Sequence, residues 1–151
     1  MPTSLAYIKA SKKLVEVLDQ IDEFSEAFTL IKEFNNTFEV PMSNKPNVGE
    51  EKDYSLKYNL LKEELEEYIE ACKSEDIVEI SDSLVDLMYV LIGTILYHGL
   101  QSSFFEMFLE VHASNMSKLE NGKVLRRSDG KVMKGSEYFK PNLKEILDGR
   151  Y

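Results

Sequence analysis

Cysteine, glycine and proline are scarce in this chain, and each shortage closes off a class of structure. A single cysteine, Cys72, leaves no internal disulfide framework and no cysteine-built zinc site, which suits a reducing compartment. Its thiol reads as a small buried hydrophobe on a helix. Seven glycines and four prolines are too few for an all-β fold with many turns. Disorder is excluded by the other half of the composition, 43% hydrophobic and 30% charged. The opening MPTSLAYIKASKK has no basic start followed by a long apolar run, so no secretory signal is expected. Long apolar runs are missing elsewhere too. The nearest, LMYVLIGTILYHGL from Leu87 to Leu100, falls short of the roughly 20 residues a spanning helix needs and reads as a buried core helix, with no membrane partner. Basic charge is also in deficit. A formal net charge of -9 repels phosphate backbones, so no nucleic-acid polymer is expected on a general basic surface. A small phosphorylated ligand held through metal ions remains compatible with that charge.

What is present is helical periodicity over one domain, residues 1–151, long enough to bury a core without staples. Thr3 or Ser4 caps a first helix reaching about Asp19, with Leu5, Ile8, Leu14 and Leu18 at helical spacing. A second helix runs from Ile21 to Asn35 or Asn36. The stretch VPMSNKPNVGEE, with Pro41 and Pro46, is an irregular connection. Helix resumes near Asp53, and Leu56, Leu60, Leu61, Leu65, Tyr68 and Cys72 trace one side of it. Ser74 is the expected cap of the next helix, with Glu75 and Asp76 in its first turn and His98-Gly99 at its end. A fifth helix spans Ser102 or Ser103 to about Lys118. Beyond it, Asn121-Gly122 and Asp129-Gly130 predict turns of a small β-hairpin, and a short helix follows Pro141.

The acids of the two central helices form a pattern. At 100° per residue Glu64 projects between Leu60 and Tyr68, with Glu67 at the margin of that apolar face. In the following helix Glu79, Asp82, Asp86 and Gly93 fall on one stripe, while Leu84, Val85, Leu87, Met88, Leu91 and Ile92 cover most of the remainder. The connection near Lys73-Ser74 is short and implies an antiparallel pair, in which Glu67 and Asp82 stand at one level and Glu64 and Asp86 one turn further along. Two unit charges about 5 Å apart repel by roughly 3 kcal/mol at an effective dielectric near 20, so four such acids require protonation or a cation. Oxygen-only ligands point to a hard ion, Mg²⁺ with Mn²⁺ as a substitute. A di-iron carboxylate bundle wants Glu-x-x-His pairs, and His98 lies roughly 18 Å along the helix from Asp86.

The segment EELEE supplies E-E-x-x-E at Glu63, Glu64 and Glu67, and the next helix supplies the acidic pair ending in VDLMYVLIG. With FNNTFEVP and with EVHASNMSKLENGKVLRRSDGKVMKG, Glu110 to Gly135, the chain resembles the all-α nucleoside triphosphate pyrophosphohydrolase superfamily, which includes MazG-like enzymes and phosphoribosyl-ATP pyrophosphohydrolases. The tail looks like the phosphoribosyl-ATP-pyrophosphohydrolase-like branch found in bacteria and phages. One departure stands out. The superfamily motif closes with Glu-x-x-Asp, and alignment on Asp86 puts Ser83 at the glutamate, with Asp82 beside it.

The resemblance implies a helical bundle whose central antiparallel pair carries the acidic site, completed by assembly into a homodimer or homotetramer. Residues 1–33 would be an N-terminal helical extension and residues 119–151 a basic hairpin tail. It implies Mg²⁺ held by Glu64, Glu67, Asp82 and Asp86, with Glu79 a further candidate, and a water oriented and deprotonated by Glu63 or Glu64. A nucleoside triphosphate would be cleaved between its α and β phosphates to a monophosphate and pyrophosphate, in the cytoplasm, or in the host cytoplasm for a phage-encoded copy. Asn115, Lys118, Lys131 and Lys134 are the candidate phosphate-binding groups, and Asn35 with Phe38 the candidate base contacts. Two other functions stay open, a phosphoribosyl-ATP pyrophosphohydrolase and a non-catalytic helical interaction module that retains the fold.

Overall fold

The computed structural model describes residues 23–149. The helix expected from Thr3 to about Asp19 lies outside those residues. Within them the chain is all-α: α1 over residues 23–37, α2 Glu51–Lys73, α3 Ile77–Tyr97, α4 Phe104–Met116 and α5 Leu143–Asp148, with no strand among the described residues. Two compact units result. One takes the described residues up to Ser43 together with Val48–His98, the other Asn44–Asn47 and the residues from Gly99 onward.

In the first unit, α1 buries Phe28, Ile31 and Asn35 on one stripe and continues unbroken through residue 33. It stops where Glu39 takes a left-handed conformation (φ 55°) and Val40 N–H donates to the Asn35 carbonyl at 2.8 Å; Pro41 then bars continuation. Glu51 and Asp53 occupy the first turn of α2, where the positive end of the helix favours them. The Glu50 side chain makes no cap hydrogen bond. Its N–H instead donates to the hydroxyl oxygen of Tyr97 at 2.9 Å, and that hydroxyl donates to Asp53 Oδ2 at 3.4 Å.

The turn between α2 and α3 corrects one assignment. Ser74 does not cap α3, because its hydroxyl donates backward to the carbonyls of Glu70 and Ala71 and so closes α2. Glu75 then turns through a left-handed conformation (φ 56°), and Asp76 is the residue placed to accept from Val78 N–H (2.9 Å) and Glu79 N–H (3.2 Å). The helices are therefore antiparallel and tied at both ends, by this turn and by Tyr97 on the start of α2. By length and composition α3 alone among the described helices could cross a membrane. Glu79, Asp82 and Asp86 interrupt it, and Ile92, Gly93, Ile95, Leu96 and Tyr97 are buried within the fold, as a core helix requires.

In the second unit, Ser114 Oγ donates to the Phe139 carbonyl at 2.8 Å and ties the tail back onto α4. Asn142 caps α5 through its side chain while its own N–H donates to Glu110 Oε1 at 2.9 Å. The expected β-hairpin does not form a ladder. Asn121-Gly122 and Asp129-Gly130 do turn the chain with left-handed φ at Asn121 and both glycines, but pairing stops at two isolated antiparallel bridges, Glu120 with Lys123 and Arg126 with Val132. Val124, Leu125, Val132 and Met133 are all exposed there, and a two-stranded ribbon with no apolar face to bury is only marginally stable.

Gly49 sets the entry to α2. Its φ is +77°, and a Cβ there would fall 2.1 Å from the Tyr97 hydroxyl oxygen. Gly49→Ala is expected to lower stability by about 1–3 kcal/mol, and Tyr97→Phe by about 1 kcal/mol, both measured by urea denaturation. An unchanged midpoint in Gly49→Ala would disprove this packing.

Candidate active site

The register fixed at the two ends of the α2–α3 pair sets which side chains meet along the seam. Glu64 stands level with Asp86, Glu67 with Ser83 and Asp82, and Lys57 with Gly93. Glu64 is the focus. It is half-buried, its Oε2 is enclosed without a hydrogen-bond partner, and its carboxyl is pushed above the ordinary glutamate range. Burial is the largest cause, followed by the negative charges of Glu67, Asp86, Glu63 and Asp82. Three of the acids singled out by their spacing, Glu67, Asp82 and Asp86, thus act on Glu64 in the folded chain, together with Glu63 of the same motif.

Their burial differs from the expectation of a greasy crevice. Glu63, Glu67, Glu79, Asp82 and Asp86 are exposed, because the apolar residues expected to wall them in, such as Leu65, Leu84, Val85 and Met88, are themselves open to solvent. Among the described residues no three Asp, Glu, His or Cys side chains close around one point as metal ligands would. The donor chemistry nonetheless fits a hard divalent cation: every candidate is a carboxylate, they crowd like charges together, and an enclosed oxygen lacks a partner. Ser83 occupies the seam itself, 3% exposed, with its hydroxyl donating to the Ile80 carbonyl of its own helix at 3.1 Å. It is a packing residue, and Asp82 beside it carries the charge.

The candidate base contacts come to the same part of the unit. Ile31 approaches Gly93, and the Phe34 ring meets Tyr89 edge-on at 5.5 Å, so α1 runs antiparallel to α3. Phe38, one turn beyond Phe34, packs against it with the ring centres 4.5 Å apart and is 64% exposed. This places it near the level of Asp86. Asn35 is 3% exposed, and its Nδ2 has no hydrogen-bond partner. A buried amide donor left unpaired costs roughly 1–3 kcal/mol, a cost that a ligand acceptor would remove.

The phosphate candidates lie in the second unit. Lys118 donates to Asn115 Oδ1 at 2.7 Å, and Lys134 lies over the Tyr138 ring at 4.3 Å. The Tyr138 hydroxyl is held below its ordinary range, first by its hydrogen bond with Ser114 and then by Lys134 and Lys118, which joins these groups into one basic cluster. Lys131 instead belongs to the turn at Asp129, where its N–H donates to Asp129 Oδ1 at 3.1 Å. Arg127 pairs with the same carboxylate, and Arg126 donates to the Gly130 carbonyl. Spacing alone did not single out Lys57. Its signal was there, one heptad before Glu64 on the same stripe.

A model of the family described as phosphoribosyl-ATP pyrophosphohydrolase matches residues 31–115, more than half of the chain. The match takes in Asn35, Phe38, every acid of the seam and Asn115, and it ends before Lys118, Lys131 and Lys134. No curated protein matches the chain.

Because the folded protein holds the Glu64 proton more tightly than the unfolded chain does, stability from this group is present at acid pH and is lost as pH rises through its folded pKa. Metal-free Glu64→Gln is expected to be more stable than wild type near pH 7, with the difference shrinking toward about pH 4. Thermal melts across that range check the sign.

Proposed function

Because this chain belongs to the phosphoribosyl-ATP pyrophosphohydrolase family, within the MazG-like nucleoside triphosphate pyrophosphohydrolase superfamily, we propose that the α2–α3 seam cleaves the α–β phosphoanhydride of a nucleoside triphosphate. The family's activity is that of a hydrolase acting on phosphoanhydride bonds. The observation that carries the reading is Glu64: a carboxylate with an enclosed, unpartnered oxygen, level with Asp86 and pressed by four other acids.

Glu64, Glu67, Asp82 and Asp86 would hold Mg²⁺, for which Mn²⁺ could substitute, with Glu79 one turn further along the stripe. The ion, when bound, supplies positive charge against the phosphate oxygens and acidifies water. Glu63 or Glu64 orients the attacking water and takes its proton. The water oxygen bonds to the α-phosphorus as the α–β bridging oxygen departs with pyrophosphate. Phe38 stacks on the base and the Asn35 amide donates to it. Within the second unit, Asn115, Lys118, Lys131 and Lys134 offer donors suited to phosphate oxygens.

A phosphoribosyl-ATP substrate presents the same α–β anhydride, and the matched family model favours keeping it as the second reading. Self-association completes the bundle in this reading. Tyr58, Leu65 and Ile69 form an exposed apolar stripe on α2, and Leu84, Val85 and Met88 stay exposed on α3, as faces waiting for a second copy would.

Pyrophosphate release from a panel of nucleoside triphosphates and phosphoribosyl-ATP is expected with Mg²⁺ and lost on chelation. Glu67→Ala and Asp86→Ala should reduce kcat by about 100-fold or more, the scale on which charge-stabilising groups act. Phe38→Ala should raise KM by about tenfold. No turnover and no Mg²⁺ binding across the panel would favour the interaction module. Light scattering on the purified protein is expected to give a dimer or tetramer mass, and a monomer would remove the assembly from the proposal.

A further inference from the structure

Four lysines lie on α2, and three of them are tied on its outer face. Lys52, Lys62 and Lys73 pair with Glu50, Glu66 and Glu70 at 3.1, 3.4 and 2.6 Å, all with exposed side chains. Lys57 differs. It points into the seam, half-buried, with Nζ 5.9 Å from the centre of the Tyr97 ring, and it forms no salt bridge among the described residues. Loss of water pulls its ammonium below the ordinary lysine range, against the smaller upward pull of Asp53.

Small residues leave room beside this cation. Level with Lys57, α3 carries Gly93, and a Cβ added there would meet only Ile31 Cγ2, at 4.0 Å. Lys57 and Glu64 share one stripe of α2 about 10 Å apart along the axis. Helical side chains lean toward the N-terminus, so Glu64 leans in the direction of Lys57 while Lys57 leans on toward Tyr97. A ligand anchored at the acids and extending along α2 toward its start comes within the swing of the Lys57 side chain, whose ammonium rests by Tyr97.

We propose that Lys57 binds the diphosphate end of the substrate, the part that departs as pyrophosphate. The assignment rests on the hydrolase reading of the seam. The acids gather charge at one end of a polyanion, and its far end needs a cation that is already partly stripped of water and is not committed to a carboxylate. A lysine resting on an aromatic face meets both conditions, because the ring holds the ammonium weakly and the flexible stem lets it swing to phosphate.

The test is calorimetric binding of inorganic pyrophosphate, in the presence of Mg²⁺, to the full-length protein and its variants. Lys57→Met keeps an apolar stem over Tyr97 and removes the charge, with Lys57→Gln as the substitute if the methionine variant fails to fold. Loss of the charge is expected to weaken binding about tenfold, while Lys57→Arg stays within about threefold of wild type. Wild-type affinity in a folded, charge-free variant, or no pyrophosphate binding by the wild type, overturns the proposal. Lys57-dependent pyrophosphate binding without turnover of any nucleotide would count against the hydrolase reading and leave this assignment standing. A purely structural Lys57 would shift the thermal midpoint and leave pyrophosphate affinity unchanged.

Discussion

The antiparallel register of α2 and α3 is the constraint on which the rest of the first unit depends. One end is set by a turn in which Ser74 closes the first helix and Asp76 opens the second. The other is set by a single phenol, Tyr97, which accepts from the Glu50 N–H and donates to Asp53. Between those two points the level of every side chain follows from the rise of the helix. A slip of one turn would part Glu64 from Asp86 and move Lys57 off Gly93. The close approach of Gly49 to Tyr97 shows how little freedom that far end has.

Electrostatics gives the register its meaning. Acids at matched heights on adjacent helices repel, and the enclosed oxygen of Glu64 has nothing to satisfy it. A fold that keeps such an arrangement is destabilised by it unless something of opposite charge arrives, and a family of phosphoanhydride hydrolases supplies the reason for tolerating it. The same logic extends to the unpaired Asn35 amide and to the half-dehydrated Lys57. An acid and an ammonium on α2 and an amide on α1 are each left short of a partner within one unit.

Legibility in the sequence tracked the range of the interaction concerned. Glu79, Asp82, Asp86 and Gly93 could be placed on one stripe because helical geometry is local, and E-E-x-x-E with the following acidic helix led to the right family. The cap of α3 was misread at Ser74, since a serine hydroxyl serves the end of one helix as readily as the start of the next and only the left-handed turn at Glu75 decides between them. The hairpin was misread for a different reason. Turn residues dictate where the chain reverses, but a ladder needs a surface to pack on, and Val124, Leu125, Val132 and Met133 have none among the described residues.

By itself the sequence determined the helices among the described residues, the stripe on which each acid lies and the family, because these depend on spacing along one chain segment. Only the tertiary structure decided that Glu64 is the half-buried one among the seam's acids, that Ser83 is buried while Asp82 stays exposed, and that Tyr97 and Lys57 meet on the start of α2. Those outcomes depend on which atoms of a second helix stand opposite, and burial is a property of the pair rather than of either strand of sequence.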